Sequence, residues 1–265
     1  MITRIVVGLI ALPIIIIPIW FGGALYVATV LAIALIGGYE FYELLTTGGY
    51  RPAAGIGLVW IALSTLCALQ PGMPLLPATL AFGLMITFIY SFFQHTQPIN
   101  TWLATATTAI YFGVLMGQIL ALRFLPNGVW WLSFGLMVTW MNDTAAYFVG
   151  STLGRRKIWP RLSPKKTWEG TVSGWIGAAL MGGFIVWLVS LPISIGGGML
   201  FGFCTGILGL MGDLSISVLK RQVGVKDSGR FFPGHGGMLD RLDSSLFTLP
   251  FVYQVVSLLL VATLR

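Results

Sequence analysis

Charge is scarce in this chain. Asp, Glu, Lys and Arg make up only 9% of its 265 residues, where a soluble domain carries about a quarter. No long polar block interrupts it, which excludes a soluble appendage and leaves a single membrane domain over residues 1–265. Cysteine is nearly absent: Cys67 and Cys204 both fall in apolar runs, so neither a disulfide framework nor Cys/His zinc spacing is available. The Walker A, dinucleotide-binding glycine and G-x-S-x-G patterns are missing as well, which removes the commonest nucleotide-binding and hydrolase signatures. Nothing has the form of a cleavable signal peptide, and Arg4 followed directly by an apolar run reads as a retained first span.

What remains is oil. The chain is 57% hydrophobic, and apolar runs of bilayer-spanning length recur from end to end, as in an all-α polytopic membrane protein. Nine candidate spans lie at about 5–20, 22–39, 53–70, 75–93, 102–122, 129–149, 171–191, 197–219 and 245–264. Pro13 and Pro18 predict a kinked first span; Phe21-Gly22-Gly23, Pro71-Gly72, Pro126-Asn127-Gly128 and Pro192 mark turns. Residues 1–122 read as N-terminal helices and 129–265 as the part that carries chemistry.

The basic residues orient the spans. With nine crossings, 13 of the 15 Lys and Arg residues fall on the side of the N-terminus; only Arg123 and Arg265 fall opposite. Positive charge stays inside, so the N-terminus and the polar loops face the cytoplasm. All eight acidic residues lie at or towards that same face. The net charge of +7 therefore points to anionic lipid headgroups or phosphorylated substrates, not to nucleic acid.

Eight of the 23 charges sit within Ser217–Asp243, which reads S-V-L-K-R-Q-V-G-V-K-D-S-G-R-F-F-P-G-H-G-G-M-L-D-R-L-D. Just upstream, Asp213 lies inside a span, where a carboxylate costs at least about 2.5–3.5 kcal/mol. It must face a cavity, a cation or a partner. Helical spacing puts Ser217 and Lys220 on its face. Asp240 and Asp243 form D-x-x-D, and oxygen ligands of this kind suit a hard divalent cation that also holds substrate phosphates. Lys220, Arg221, Lys226, Arg230 and Arg241 supply groups for phosphate oxygens. His235 sits among glycines, either as a ligand contact or as a turn residue. Asp143, in N-D-T-A-A-Y-F-V-G, and the turn Ser163-Pro164-Lys165-Lys166-Thr167 form two further polar clusters. That turn belongs to a loop which also serves as a basic interfacial anchor, with Trp159 and Trp168.

Four ordered motifs in the second half of the chain, N-D-T-A-A-Y-F-V-G, S-P-K-K-T-W-E-G, G-D-L-S-I-S and the S-x-x-K-R…K-D-S-G…P-G-H-G-G…D-R-L-D stretch, closely resemble the phosphatidate cytidylyltransferase (CDP-diacylglycerol synthase) family. The resemblance implies that CTP and phosphatidate give CDP-diacylglycerol and pyrophosphate. It also implies Mg²⁺, a second cation such as K⁺, a homodimer among membrane lipids, and a place in a bacterial cytoplasmic membrane. On it, Asp213, Asp240 and Asp243 are the expected metal ligands, with Asp143 a further candidate. Lys220, Arg221, Lys226 and Arg241 grip phosphates, Ser217 and His235 give hydrogen bonds, and Ser163, Lys165, Lys166 and Thr167 help bind CTP. An ion-coupled carrier and a CTP-dependent lipid kinase are the alternatives that the polar residues leave open.

Overall fold

The computed structural model describes residues 2–232 and 236–263. Among these the chain forms ten α-helices: α1 (Ile2–Phe21), α2 (Gly23–Thr47), α3 (Ala54–Leu66), α4 (Leu75–Ser91), α5 (Pro98–Leu122), α6 (Gly128–Thr152), α7 (Trp168–Val189), α8 (Ile195–Gln222), α9 (Leu239–Leu242) and α10 (Ser245–Thr263). A two-stranded antiparallel hairpin, β1 (Lys157–Trp159) and β2 (Ser163–Thr167), lies between α6 and α7. The turn expected at Ser163–Thr167 is therefore a strand, paired through Lys157 with Thr167 and Trp159 with Ser163.

Each of the nine expected spans overlaps a helix among the described residues, with ends displaced by up to a few residues. Five described helices are both long and apolar enough to cross a membrane: Gly23–Thr47, Pro98–Leu122, Trp168–Val189, Ile195–Gln222 and Ser245–Ala262. Large apolar side chains point outward along them, including Leu180, Phe184, Trp187 and Leu188 of α7. In water such a surface would be an aggregation liability; against lipid it costs nothing. Polar hydroxyls inside these helices bond back to the preceding turn, as Thr105 and Thr108 of α5 do to the carbonyls of Thr101 and Ala104 at 2.6 and 2.9 Å. No backbone group needs to be given up for them.

The chain divides into two compact units. One comprises the chain up to Ala121 together with Leu219–Leu242. Its core is built around Tyr42, Ile61, Phe112 and Leu120, all buried. The Tyr42 hydroxyl donates to the Thr105 carbonyl at 2.9 Å, and Tyr26 does the same to Ile119 at 2.8 Å, which ties α2 to α5. The charged segment is thus grouped with the N-terminal helices. The reason is a carboxylate on α2, described below.

The other unit comprises Leu122–Val218 and the chain from Asp243 onward. Here α6 and α7 make the most extensive helix contact, along a seam of small residues that includes Ala146, Gly150, Gly170 and Gly174. Helices α7 and α8 cross at glycines: a Cβ on Gly182 would lie 3.1 Å from Gly202 Cα. Backbones this close are held by dispersion, the main attraction left between helices in lipid. Phe134, Phe201 and Phe251 pack as an aromatic cluster with centroids 4.9 and 5.6 Å apart. Thr139 donates to Thr248 at 2.9 Å between α6 and α10.

Candidate active site

In the second unit a cavity of about 610 Å³ opens between α6, the hairpin, α7 and α8, a volume in the range of ligand pockets. Asp213 of α8 and Asp143 of α6 line it, with Lys157, Lys165 and Lys166 of the hairpin. Lys166 forms an ion pair with Asp213 Oδ2. Ser217, one turn on, donates to Asp213 Oδ1 at 3.3 Å, as the i, i+4 spacing predicts. The Asn142 amide donates to Asp143 Oδ1 at 3.4 Å, a weak bond. That fixes its orientation, because a carboxylate only accepts. The Asn142 carbonyl oxygen and the Trp175 indole N–H, both buried, have no partner in this structure. Their residues line the same cavity.

The hairpin is placed by two devices. Thr167, buried, caps α7 by accepting from Gly170 N at 3.3 Å. Glu169, in the first turn of α7, accepts from the backbone N–H of Arg155 and Arg156 at 3.1–3.2 Å. Thr167, expected to help bind substrate, borders the cavity. Ser163 begins β2, half-buried.

In the first unit the charged segment is built on two carboxylates. Lys220 Nζ donates to Asp240 Oδ1 at 2.6 Å, with side chains only 11% and 8% exposed. The backbone N–H groups of Ser228 and Gly237 both donate to Asp240 Oδ2 at 2.9 Å. Burial pushes this carboxyl up, but the Lys220 ammonium and the two backbone donors outweigh it and hold it below the usual carboxylate range. The second carboxylate is Glu40 of α2, buried at 4% exposure. It accepts from Met238 N and Leu239 N at 2.9 and 2.8 Å and from the Ser228 hydroxyl at 3.3 Å.

Asp213 and Asp243 belong to one unit and Asp240 to the other. Among the described residues no group of three or more His, Cys, Asp or Glu side chains gathers to hold a metal ion. Asp240 has its oxygens engaged by one lysine and two backbone donors. Asp243 falls beyond the end of α9 and accepts from Ser244 N at 2.7 Å, just ahead of α10. Arg221 donates to the Val225 carbonyl at 3.3 Å, and Arg221, Lys226 and Arg241 are exposed. His235 lies outside the described residues.

Glu40, Lys157 and Trp175 were not among the expected site residues. Glu40 carried a signal, a carboxylate in the otherwise apolar G-G-Y-E-F-Y run of α2. Its partners lie 188 to 199 residues away, beyond the reach of local pattern.

A family model described as the cytidylyltransferase family matches residues 2–259. The phosphatidate cytidylyltransferase of Synechocystis sp. (strain ATCC 27184 / PCC 6803 / Kazusa) is 35% identical over 271 aligned positions, covering 90% of this chain and 90% of that protein. The protein of the same name from Brucella suis biovar 1 (strain 1330) is 34% identical over 95% of this chain and 90% of that one. That of Bacillus subtilis (strain 168) is 41% identical over 57% of this chain, which spans 56% of the relative.

Proposed function

The chain belongs to the cytidylyltransferase family, and from that premise we propose that it is a phosphatidate cytidylyltransferase, making CDP-diacylglycerol and pyrophosphate from CTP and phosphatidate. The observation that carries the reading is the cavity that brings Asp143 and Asp213 together with Lys157, Lys165 and Lys166. Both substrates are polyanions, and they react only where cations offset their mutual repulsion. A phosphate oxygen of phosphatidate attacks the α-phosphorus of CTP. The bond from that phosphorus to the oxygen bridging to the β-phosphorus breaks, and pyrophosphate leaves. Such a transfer asks the protein for positioning and charge stabilisation, not for a covalent intermediate.

The cavity's donors fit Mg²⁺. Its acidic groups are two carboxylates, and Mg²⁺ is commonly held by one or two carboxylates plus substrate phosphates. Asp213 and Asp143 would hold it, and when bound it would neutralise charge on the departing pyrophosphate. Lys166, now paired with Asp213, turns to a CTP phosphate when the nucleotide enters; Lys165 and Lys157 hold the remaining phosphate oxygens. Ser217 keeps Asp213 oriented. Asp240 and Lys220, expected as metal ligand and phosphate grip, are bonded to each other here and brace the segment that carries Lys226 and Arg241; Arg221, Lys226 and Arg241 keep the phosphate-binding role the resemblance gives them.

We place the reaction at the cytoplasmic face of a bacterial inner membrane crossed nine times, N-terminus inside. The distribution of Lys and Arg and the outward apolar faces of the helices support this. The resemblance adds a homodimer and a second cation such as K⁺; sedimentation in detergent and a K⁺ titration of turnover test them. The direct test is pyrophosphate release by the purified protein. Release that requires CTP, phosphatidate and Mg²⁺ together supports the proposal. CTP consumption with another lipid acceptor and CDP as product would overturn it.

A further inference from the structure

Glu40 stands apart from the catalytic motifs in sequence, yet three groups of the charged segment converge on it. We propose that Glu40 is a positioning residue for the reaction: it holds Ser228 together with Met238 and Leu239, and through them the cations Lys226 and Arg230 that flank Ser228. The inference rests on the cytidylyltransferase reading above for its link to turnover, but its structural half does not.

Ser228 and the residues Gly237–Leu239 meet at two carboxylates. Asp240 holds Ser228 N and Gly237 N, and Glu40 holds the Ser228 hydroxyl together with Met238 N and Leu239 N. Ser228 is thus bound by both, through its backbone to one and through its side chain to the other. A backbone bond from Phe232 N to Gly236 O at 2.9 Å closes the loop from within. Arg230, exposed, stands on it, and Lys226 just before it.

Gly229 of K-D-S-G and Gly237 have a physical reason in the same carboxylate. A Cβ at Gly229 would lie 2.6 Å from Glu40 Cδ, and one at Gly237 would lie at the same distance from it. Real Cβ contacts are not that short, so the loop comes down onto Glu40 only where side chains are missing. Gly236 adds a backbone at φ +81°, open to glycine at no cost.

A carboxylate is the group this place requires. Three N–H or O–H donors point at it, and a carboxylate is acceptor-only with about four lone-pair sites. Glu40→Gln keeps the shape, but its NH₂ must face a donor, so at least one of the three bonds is lost and a donor–donor contact replaces it. Glu40→Ala removes all three.

The test is Glu40→Gln in the full-length protein in detergent, read three ways. Amide exchange of the peptide spanning Met238–Leu242 should rise at least about tenfold, as lost hydrogen bonds to a buried charged acceptor imply. The unfolding midpoint of the helices should stay near that of wild type. If wild type makes CDP-diacylglycerol, kcat should fall at least about tenfold while KM for CTP changes less than about threefold, and Glu40→Asp should recover part of it. Exchange unchanged in both Glu40→Gln and Glu40→Ala would overturn the proposal whatever the reaction. Faster exchange with kcat intact in an active enzyme would reduce Glu40 to a structural residue. Failure of wild type to make the lipid product sinks the functional reading alone, and the exchange result still decides whether Glu40 holds the loop.

Discussion

Replacing Asp240 by Asn should open the charged segment without melting the helices. The carboxylate is paired with Lys220 at 2.6 Å, and both side chains are nearly buried. Removing one partner of such a pair leaves an uncompensated charge, at a cost of about 3–5 kcal/mol. Asn can still offer one oxygen to Ser228 N and Gly237 N, but its NH₂ then faces the Lys220 ammonium. At 1.4 kcal/mol per tenfold, the open population of the loop rises by about two to three and a half orders of magnitude. Trypsin reads this, because cleavage after exposed Arg230 tracks the open fraction when opening is fast. The rate should rise at least about a hundredfold, while the helices' unfolding midpoint barely moves. Lys220→Met should fall at the low end of the same range, since two backbone donors still satisfy Asp240. In the double variant Lys220→Met/Asp240→Asn the NH₂ meets a thioether instead of an ammonium. Its rate should lie at least about tenfold below the product of the single effects. Changes under about threefold for Asp240→Asn, or strictly multiplicative effects, would refute the argument that this pair holds the segment.

Asp213→Asn, measured as pyrophosphate release, should lower turnover by at least about a hundredfold with membrane insertion intact, because the carboxylate that pairs with Lys166 and would hold the cation is lost. Gly237→Ala should destabilise the loop by about 1–3 kcal/mol, visible as faster exchange at Met238 and Leu239, since its Cβ would strike Glu40. Asp240 titrates below the ordinary carboxylate range. Its contribution is therefore fully present above the unfolded value of about 3.9, and is lost as pH falls through the lower folded value. Loop protection, followed by exchange, should be flat from pH 7 to about 5 and fall only below about 4; loss already near pH 6 would contradict it. Thr167→Ala removes the cap of α7 and should cost about 1 kcal/mol, seen as a lower unfolding midpoint.

The helices were legible because apolar runs are written in composition: each of the nine apolar runs overlaps a helix, five described helices are long and apolar enough to cross a membrane, and Asn127 at φ +58° and Gly22 at φ +67° turn the chain where the sequence said it would turn. The grouping of those helices was not legible. Leu219–Leu242 joins the N-terminal helices through Glu40, and nothing local in Gly-Gly-Tyr-Glu announces partners nearly 200 residues on. The polar residues were identified, but the assignment of partners depended on three-dimensional competition. Asp240 reads as a metal ligand in the sequence, and nothing local announces the bonds its oxygens accept from Lys220 and two backbone donors. The spacing that put Ser217 beside Asp213 was right, whereas Lys220, on the same helical face, bonds elsewhere. Lys166, expected to help bind CTP, is also the ion partner of Asp213, because a hairpin folds it into the cavity.

The central claim is cytidylyl transfer, and the fate of CTP labelled at the α- and γ-phosphates tests it most directly. With phosphatidate and Mg²⁺, the α-label should enter the lipid as CDP-diacylglycerol and the γ-label should leave as pyrophosphate. A γ-label in the lipid with α-label in CDP, or both labels remaining in CTP, would contradict the account.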